Sequence, residues 1–412
     1  MTNIMKTFQL IFFAFIFSLH AFGQTILSED EAIQIALKNN QLLQSGAYQV
    51  AMQKEMKNTA FDLGKTNFTW MHGQFNSILN DNNYTLTQTI PFPTALVSNS
   101  KLAKAQVEGA EVQLSMTRNE LIKEVRSAYH HLAYLVALQQ ELIVQDSVFA
   151  KFANAASIRY RVGEGTMLEK TTAEMQAMQI RNQLSQNESD ITIYKRQLKT
   201  LLNLNDEISF PTVISKLSLK AESSSVDHNP QLLSLKQEVT ITDRQRRVEN
   251  NKFLPDIMVG YFSQSLIGFQ RINNNDVFFD KNDRFTGFEL GVSIPLWFVP
   301  QQSKAKAAAL HQESALKKYE YFQNQIEGKM LQAQLELAKH ENSLRFYETN
   351  ANPNANLIQT QAQNSFQAGE IGYLEFFQAI NQARTIKLNY LQTLNQYNQA
   401  TIEMDYLAGN FN

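Results

Sequence analysis

The stretch RYRVGEGTMLEKTTAEMQA, residues 159–177, decides the fold because it interrupts a long helical pattern with glycine. A second stretch, SFQAGEIGYLEFFQAINQA at residues 365–383, repeats the interruption 206 positions later. A helix that ends in glycine and restarts a few residues later folds back as an antiparallel hairpin. The sequence therefore predicts two helical hairpins. The residues that are identical at this shift are Gly163 and Gly369, Glu164 and Glu370, Leu168 and Leu374, Glu169 and Glu375, Ala173 and Ala379, Gln176 and Gln382, and Ala177 and Ala383.

Composition favours long helices in an exported chain. The 412 residues include only 15 glycines and 8 prolines, which predicts long elements with few breaks. A net charge of -2 gives no bulk attraction to nucleic acid. The chain has no cysteine, which excludes disulfides, thiolate metal sites and an N-terminal lipid on cysteine.

The N-terminus has the pattern of a secretory signal. Lys6 precedes the apolar run FQLIFFAFIFSLHAF, and Ala21 and Gly23 precede Gln24 at a site that suits signal peptidase. The alternative is a membrane anchor, but the run is short for a span and has no stop-transfer flank. We expect a cleaved signal peptide over residues 1–23.

Two repeats follow the signal peptide, each with a short helix, a strand pair and a long helical hairpin. Ser28 begins the first short helix as its cap, with Glu31 three residues later, and this helix is predicted to end near Asp62. Pro353 predicts a kink in the second hairpin. The predicted ranges are 24–210 for the first repeat with its hairpin over 94–204 and turn at 163–165, 211–228 for the linker, and 229–412 for the second repeat with its short helix near 229–251, hairpin over 301–407 and turn at 369–372.

Strand pairs with a period of two lie between the short and long helices of each repeat. Phe288, Leu290 and Val292 share one face of the last strand, while glycine, glutamate and serine share the other. Both strand pairs end with Ile-Pro, and 72 residues separate Pro91 from Gly163 where 74 separate Pro295 from Gly369. Two landmarks with nearly equal spacing indicate a structural repeat. The predicted strands cover residues 67–77, 83–92, 255–266 and 285–296.

Four such strands fit a membrane barrel that several chains share. Tilted strands of about ten residues span a bilayer, and one apolar face with one polar face is typical of such barrels. A bilayer tolerates no open sheet edge, so four strands cannot stand alone, and three chains would supply about twelve. The alternative is a small soluble sheet that the helices cover.

The order of these features resembles the TolC family of outer-membrane efflux ducts. LSEDEAIQIALKNN at residues 27–40 is similar to the family's opening L-x-x-A-x-x-x-A-L-x-x-N. The two Ile-Pro pairs and the turns YRVG (160–163) and FQAG (366–369) complete the resemblance, which covers nearly the whole mature chain. FDLGKTNFTWMHGQFNS and the run from AYHHLAYL to RVGEG resemble the outer-membrane components of heavy-metal (Cus/Czc-type) resistance-nodulation-division pumps. Many of those relatives are lipoproteins, and this chain lacks the required cysteine.

The resemblance implies a mainly α-helical homotrimer with a twelve-stranded barrel in outer-membrane lipid and a hollow helical tunnel in the periplasm. A periplasmic membrane-fusion adaptor would dock at the turns and join the duct to an inner-membrane resistance-nodulation-division pump. The duct would be passive, with no enzymatic activity and no cofactor.

The turns supply the candidate functional residues. The resemblance implies adaptor contacts at Gly163, Glu164, Gly165, Gly369, Glu370 and Gly372. It also places Glu169 and Glu375 at the periplasmic aperture, where three copies of each would form acidic rings that favour cations. The alternatives are plain helix termination for the glycines and ordinary helix-start carboxylates for the glutamates. Arg159 and Arg161 are predicted to pair with Glu164, Glu169 or Glu370 in a closed state.

Metal ligation and catalysis find little support in the sequence. Adjacent histidines such as His130 and His131 point about 100° apart on a helix, and Met71 and His72 face opposite sides of a strand. Met167, Met175 and Met178 have the helical spacing of packing residues. The common nucleotide-binding, metalloprotease and serine-hydrolase motifs are missing.

Two alternatives to a heavy-metal duct stay open. One keeps the duct and changes its partner to a drug pump or a type I secretion system. The other is a soluble periplasmic coiled-coil adaptor or scaffold. An adaptor normally has one helical hairpin with flanking β-rich domains, whereas this sequence predicts two hairpins and two strand pairs.

Overall fold

A computed structural model describes residues 27–204, 214–219 and 225–411 of the chain. The predicted signal peptide at 1–23 and residues 211–213 and 220–224 of the predicted linker at 211–228 lie outside the described residues. No helix in the described ranges is long and apolar enough to cross a membrane.

Eight α-helices and six strands make up the described chain, and the four predicted strands and two predicted helical hairpins occur among them in the predicted order. The first hairpin pairs a helix of 69 residues with one of 36. The helices are α1 (Glu29–Asn39), α2 (Gln41–Asn58), α3 (Pro93–Arg161), α4 (Met167–Leu202), α5 (Pro230–Asn251), α6 (Phe298–Phe346), α7 (Asn352–Gln367) and α8 (Tyr373–Ala408). The strands are β1 (Asn67–Gly73), β2 (Asp81–Ile90), β3 (Asp256–Gln264), β4 (Gly268–Ile272), β5 (Asn275–Phe279) and β6 (Phe285–Ser293).

The predicted first helix is two helices. Ser28 caps α1 as expected, because its hydroxyl accepts from the Glu31 amide while the Glu31 carboxylate accepts from the Ser28 amide. Asn40 then adopts an extended conformation with ψ of 119°, which ends α1 before α2 begins at Gln41. The prediction of one continuous helix to Asp62 was therefore wrong.

Pro353 does not break its helix. A π-helical turn over Tyr347–Ala351 precedes it, and the Asn352 amide donates to the carbonyl of Tyr347, five residues back. Proline lacks an amide hydrogen and its ring crowds the carbonyl four residues earlier. The wider π turn accommodates both effects, so the chain passes from α6 to α7 without leaving the helical conformation.

Four strands form one antiparallel sheet in the order β1-β2-β3-β6. β1 pairs with β2 and β3 pairs with β6, as the two predicted strand pairs require. The central pairing of β2 with β3, from Asn83–Gln264 to Ile90–Ile257, joins the two repeats. Strands of each repeat therefore lie in one sheet.

The strands differ from the predicted ranges mainly at their ends. β1 stops at Gly73, where φ of +147° takes the chain out of the strand conformation, instead of continuing to residue 77. β2 ends at Ile90 because Pro91 has no amide for the ladder. The hairpin of β4 and β5 was missed. Its turn places Asn273 and Asn274 at φ of 51° and 67°, a conformation that asparagine tolerates well.

The described chain divides into two compact units that do not coincide with the two sequence repeats. One unit contains the described residues of 1–41, 118–226 and 328–412, and the other contains 42–117 and 227–327. The second unit holds the whole sheet, which needs strands from both repeats. The first unit holds both helix turns. Each sequence repeat therefore contributes residues to both units, and neither unit corresponds to one repeat.

A buried charge cluster joins the beginning of the described chain to its end in the first unit. The Arg126 guanidinium, only 3% exposed, donates to Glu29 at 2.5 Å and to the fully buried Asp405 at 3.1 Å. His130 Nε2 lies 3.0 Å from the other oxygen of Glu29, and Tyr129 donates to the Leu27 carbonyl at 2.9 Å. Removing one partner of such a cluster leaves buried charge without compensation.

The pKa of Glu29 follows from these contacts. Burial acts to raise the pKa of this carboxyl, but the hydrogen bond and the field of His130, together with Arg126, lower it from 4.5 to about 2. A folded-state pKa below the unfolded value stabilises the fold above pH 4.5, and the stabilisation is lost as the pH falls toward 2.

We expect Glu29→Gln to lower the free energy of unfolding by about 2 kcal/mol at neutral pH, after allowing for the partial exposure of the side chain. The deficit should shrink as the pH is lowered from 4.5, because the wild-type carboxyl then protonates. Urea unfolding between pH 3 and 7 measures both effects, and exposed Asp30→Asn on the same helix turn is the matched control, with a change within about 0.5 kcal/mol. A deficit that does not vary with pH would assign the loss to packing instead of charge.

Candidate functional site

The first helix turn closes with two backbone hydrogen bonds that define a Schellman motif. After α3 ends at Arg161, the Gly163 amide donates to the Tyr160 carbonyl at 3.2 Å and the Glu164 amide donates to the Arg159 carbonyl at 2.9 Å. Gly163 has φ of +80°, a left-handed conformation that costs a residue with a Cβ about 1–2 kcal/mol. The turn conformation itself therefore favours glycine at this position.

The second turn repeats this geometry. After α7 ends at Gln367, the Gly369 amide donates to Phe366 at 3.2 Å and the Glu370 amide donates to Ser365 at 2.8 Å. Gly369 has φ of +74°. The Ser365 hydroxyl also donates to a carboxylate oxygen of Glu370 at 2.9 Å, which holds this acidic side chain at the turn. The repeat read from the sequence is thus a repeat of backbone conformation.

The other two candidate glycines have different roles. A Cβ on Gly165 would stand only 3.2 to 3.3 Å from atoms of Glu169, Arg159 and Tyr160, so this position is sterically restricted. Gly372 precedes α8 with φ of -80° and ψ of 174°, which any residue adopts. The nearest atom to a Cβ there is an oxygen of Glu375, at 4.0 Å.

Glu169 and Glu375 both cap the helix that returns from a turn. The Thr166 hydroxyl accepts from the Glu169 amide, and the Glu169 carboxylate accepts from the Thr166 amide, each at 3.1 Å. At the second turn the Gly372 amide donates to the Glu375 carboxylate at 2.9 Å, but glycine has no side chain to return the bond. Both glutamates therefore have, within the single chain, the helix-start role that was the alternative to an aperture role. A role in an aperture stays a prediction.

The structure brings the two returning helices together near Glu169. Burial raises the pKa of the Tyr373 hydroxyl, and the nearby negative charge of Glu169 raises it further. Tyr373 is the first residue of α8, whereas Glu169 lies in the first turn of α4. The Tyr373 hydroxyl is buried and has no hydrogen-bond partner among the described residues.

An aromatic cluster packs behind both turns and was missed by the sequence interpretation. Phe152 contacts the Tyr373 ring at 4.7 Å and the Phe376 ring at 5.0 Å between centroids, and Phe366 stacks on Phe376 at 4.5 Å. The pairs carry roughly 0.5–1.5 kcal/mol each beyond their buried area. The density of aromatic residues just after the second turn was the available signal. The apolar core of this cluster comprises Phe149, Phe152, Ala156, Ala173, Ala177, Ile180, Ala362, Phe376 and Ile380.

The predicted arginine pairs do not form within one described chain. Arg159 donates to the backbone carbonyl of Glu164 at 3.3 Å, which supports the turn without using the glutamate side chain. Among the described residues, neither Arg159 nor Arg161 forms an ion pair with Glu164, Glu169 or Glu370. Their part in a closed state stays a prediction about an assembled protein.

The two histidines have separate partners. His130 contacts Glu29, whereas His131 lies 3.2 Å from the Asn395 amide nitrogen and 4.3 Å from the Tyr194 ring centroid. Burial lowers the pKa of His131. The described residues contain no group of three or more histidine, aspartate or glutamate side chains placed to hold a metal ion.

The turn glycines allow a test with opposite expected signs. Gly369→Ala should lower the free energy of unfolding by about 1–2 kcal/mol, because alanine is strained at φ of +74°. Gly372→Ser should raise it by a few tenths of a kcal/mol, because a serine hydroxyl there would accept from the Glu375 amide and complete the cap. Thermal unfolding of the two variants measures the difference. Equal destabilisation by both would contradict the assigned turn geometry.

Residues 32–204 match the model of a family described as outer membrane efflux protein. No curated protein matches the sequence.

Solved structures of channels match the fold over most of its length. The outer-membrane channel OprN has a TM-score of 0.75 at 13% identity, covering 92% of this chain and 89% of its own. CusC has a TM-score of 0.74 at 14% identity, with coverages of 93% and 92%. The CmeC outer membrane channel of Campylobacter jejuni has a TM-score of 0.74 at 14% identity, with coverages of 92% and 85%. The chain therefore has the fold of these channels, and residues 32–204 carry the sequence pattern of the outer membrane efflux protein family.

Proposed function

We propose that the protein is the outer-membrane exit duct of a tripartite efflux system and conducts substrates passively. The single observation that carries the proposal is the contrast between the two faces of the four-stranded sheet. One complete row across the sheet is apolar or aromatic, and it consists of Phe68, Leu86, Tyr261 and Phe288.

The apolar face extends beyond this row and lacks a cover in the single chain. Phe288 is 88% exposed and Leu290 is 81% exposed. Exposed apolar patches of this kind mark sites of contact with membranes or other proteins. At about 3.3 Å per residue, strands of nine or ten residues are about 30 Å long, the thickness of a bilayer core. Lipid is therefore the proposed cover.

The opposite face is mostly polar or small, which suits a water-filled interior. Its large apolar residues are Met71, Met258, Phe262 and Phe285. On β2 it presents Asn83, Thr85, Thr87 and Thr89. β1 and β6 are the open edges of the sheet, and unpaired edges are not tolerated in lipid. We infer that three copies pair these edges and close a barrel of twelve strands.

The proposed partners meet the chain at its helix turns. An adaptor would contact the exposed turn residues Gly163, Glu164 and Gly369, Glu370, and the inner-membrane pump would act through that adaptor. The adaptor contact is supported by the turn conformation that the chain adopts twice, at Gly163 and at Gly369. Three copies of the chain would present six such turns. The proposed location is the outer membrane with a periplasmic extension.

We propose heavy-metal cations as one candidate cargo. The similarities to OprN, CusC and CmeC are nearly equal, so the fold does not favour one type of system over another. A duct for drug efflux or type I secretion is the main alternative. A soluble periplasmic scaffold is less favoured, because the apolar sheet face would then meet water.

We expect the expressed protein to partition with outer membranes and to migrate as a trimer that heating dissociates. Leu290→Lys should abolish both properties, since a lysine near the middle of the lipid face costs about 2–4 kcal/mol. Thr85→Lys, on the opposite face, is the matched control and should be tolerated. Membrane fractionation and electrophoresis with and without heating report the outcome. A freely soluble periplasmic monomer would refute the proposal.

We also expect Glu169→Gln together with Glu375→Gln to reduce the cation preference of the reconstituted channel. Glutamine can still accept the capping hydrogen bonds, so the change removes charge with little loss of fold. Reversal potentials in planar bilayers under a salt gradient measure the preference, and Glu188→Gln on the exposed surface of α4 is the control. Unchanged conductance and selectivity would leave the two glutamates with their capping role alone.

A further inference from the structure

The charged residues of the four-stranded sheet share one sign and one face. β1, β2, β3 and β6 contain no lysine or arginine, and their charged residues are Asp81, Asp256 and Glu289. The strand pairings put all three on the polar face. This face is the proposed interior of the barrel.

Glu289 differs from the two aspartates in its surroundings. Asp81 is fully buried and accepts hydrogen bonds from the Ser265 hydroxyl and the Ile267 amide, both at 2.9 Å. Asp256 is the first residue of β3, where the strand begins. Glu289 lies at the middle of β6, is partly exposed, and forms no ion pair with any described residue.

Glycines are the nearest neighbours of Glu289 on its face of the sheet, and the side chains of Phe262 and Met258 fill the space over the two that lie on β6. Gly260 lies directly across on β3, and Gly287 and Gly291 are its neighbours two residues away on β6. A Cβ on Gly260 would stand 3.2 Å from the Glu289 Oε2 atom and 3.1 Å from the Thr87 Cγ2 atom. Because Gly260 has no side chain, space is left over β3, and the Glu289 carboxylate extends into it toward Thr87.

We propose that Glu289 is a charge-selective residue inside the barrel, where its copies form a second acidic ring that favours cations over anions. The inference rests on the proposed function, because it needs the polar face to line water. Fixed carboxylates on the wall of a narrow pore raise the local concentration of cations, and the low-dielectric surroundings strengthen their field. No basic residue on these strands offsets them.

A structural role for Glu289 predicts a different result. β6 is an edge strand, and inward-pointing charges on edge strands also act against unwanted strand pairing. Such a role would alter assembly or aggregation on substitution, but it would leave the selectivity of assembled channels unchanged.

The test uses single cysteines, which the cysteine-free chain makes unambiguous. Thr87→Cys places a thiol next to Glu289 on the polar face, and Leu86→Cys places one on the apolar face of the same strand. Intact cells are treated with a cationic and an anionic methanethiosulfonate reagent of similar size, and the ratio of labelling rates reports the potential at residue 87. This ratio does not depend on whether the helix turns are open.

We expect the cationic reagent to label Thr87→Cys faster, and addition of Glu289→Gln to lower the rate ratio about threefold at low salt. At 1 M salt the effect should nearly vanish, since the screening length falls to about 3 Å. Asn83→Cys lies four residues farther along β2 and should respond less. An unchanged ratio for Thr87→Cys in correctly assembled Glu289→Gln trimers overturns the inference.

The Leu86→Cys variant separates this failure from failure of the proposed function. Protection of Leu86→Cys with ready labelling of Thr87→Cys supports the barrel, whatever Glu289 does. Equal labelling of both thiols would overturn the barrel, and the inference about Glu289 with it.

Discussion

The pairing of β2 with β3 is the interaction on which the sheet depends. Each repeat supplies only two strands, and an isolated two-stranded hairpin is marginal in water. The ladder from Asn83–Gln264 to Ile90–Ile257 joins the two pairs and sets their common register. A shift of one residue would move every side chain of a pair to the other face and destroy the separation of apolar from polar residues. The two strand pairs thus form a stable sheet only when the repeats pair with each other.

The same pairing explains why the compact units do not follow the repeats. Strands of both repeats must lie in one unit, and the hairpins of both repeats must share one aromatic cluster in the other. The cluster of Arg126, Glu29 and Asp405 then connects the first described helix to the last one. Contacts between distant parts of the sequence therefore stabilise each unit, and the buried clusters of the first unit contain residues from both repeats.

Sequence reasoning predicted what depends on local chemistry. Glycine at φ of +80° and +74°, the Ser28 cap and the order of helices and strands follow from short patterns that act within a few residues. The π turn before Pro353, the hairpin of β4 and β5 and the Arg126 cluster were not predicted. The last of these depends on a contact between residues 279 positions apart, which no periodicity reveals. For the candidate site, the sequence located the two helix turns, but the capping bonds of Glu169 and the partial burial of Tyr373 required the folded backbone.

The two turns share a backbone but differ in what stabilises the helices that follow. The first returning helix begins with a complete capping box between Thr166 and Glu169. The second begins at Gly372, which lacks the capping hydroxyl, and its first turn instead contributes Tyr373 and Phe376 to the aromatic cluster. Side-chain packing thus accompanies a helix cap that is weaker by a few tenths of a kcal/mol. A hairpin held by packing depends on its neighbours more than one held by a local cap. The start of α8 is therefore more sensitive to a change in the surrounding helices than the start of α4 is.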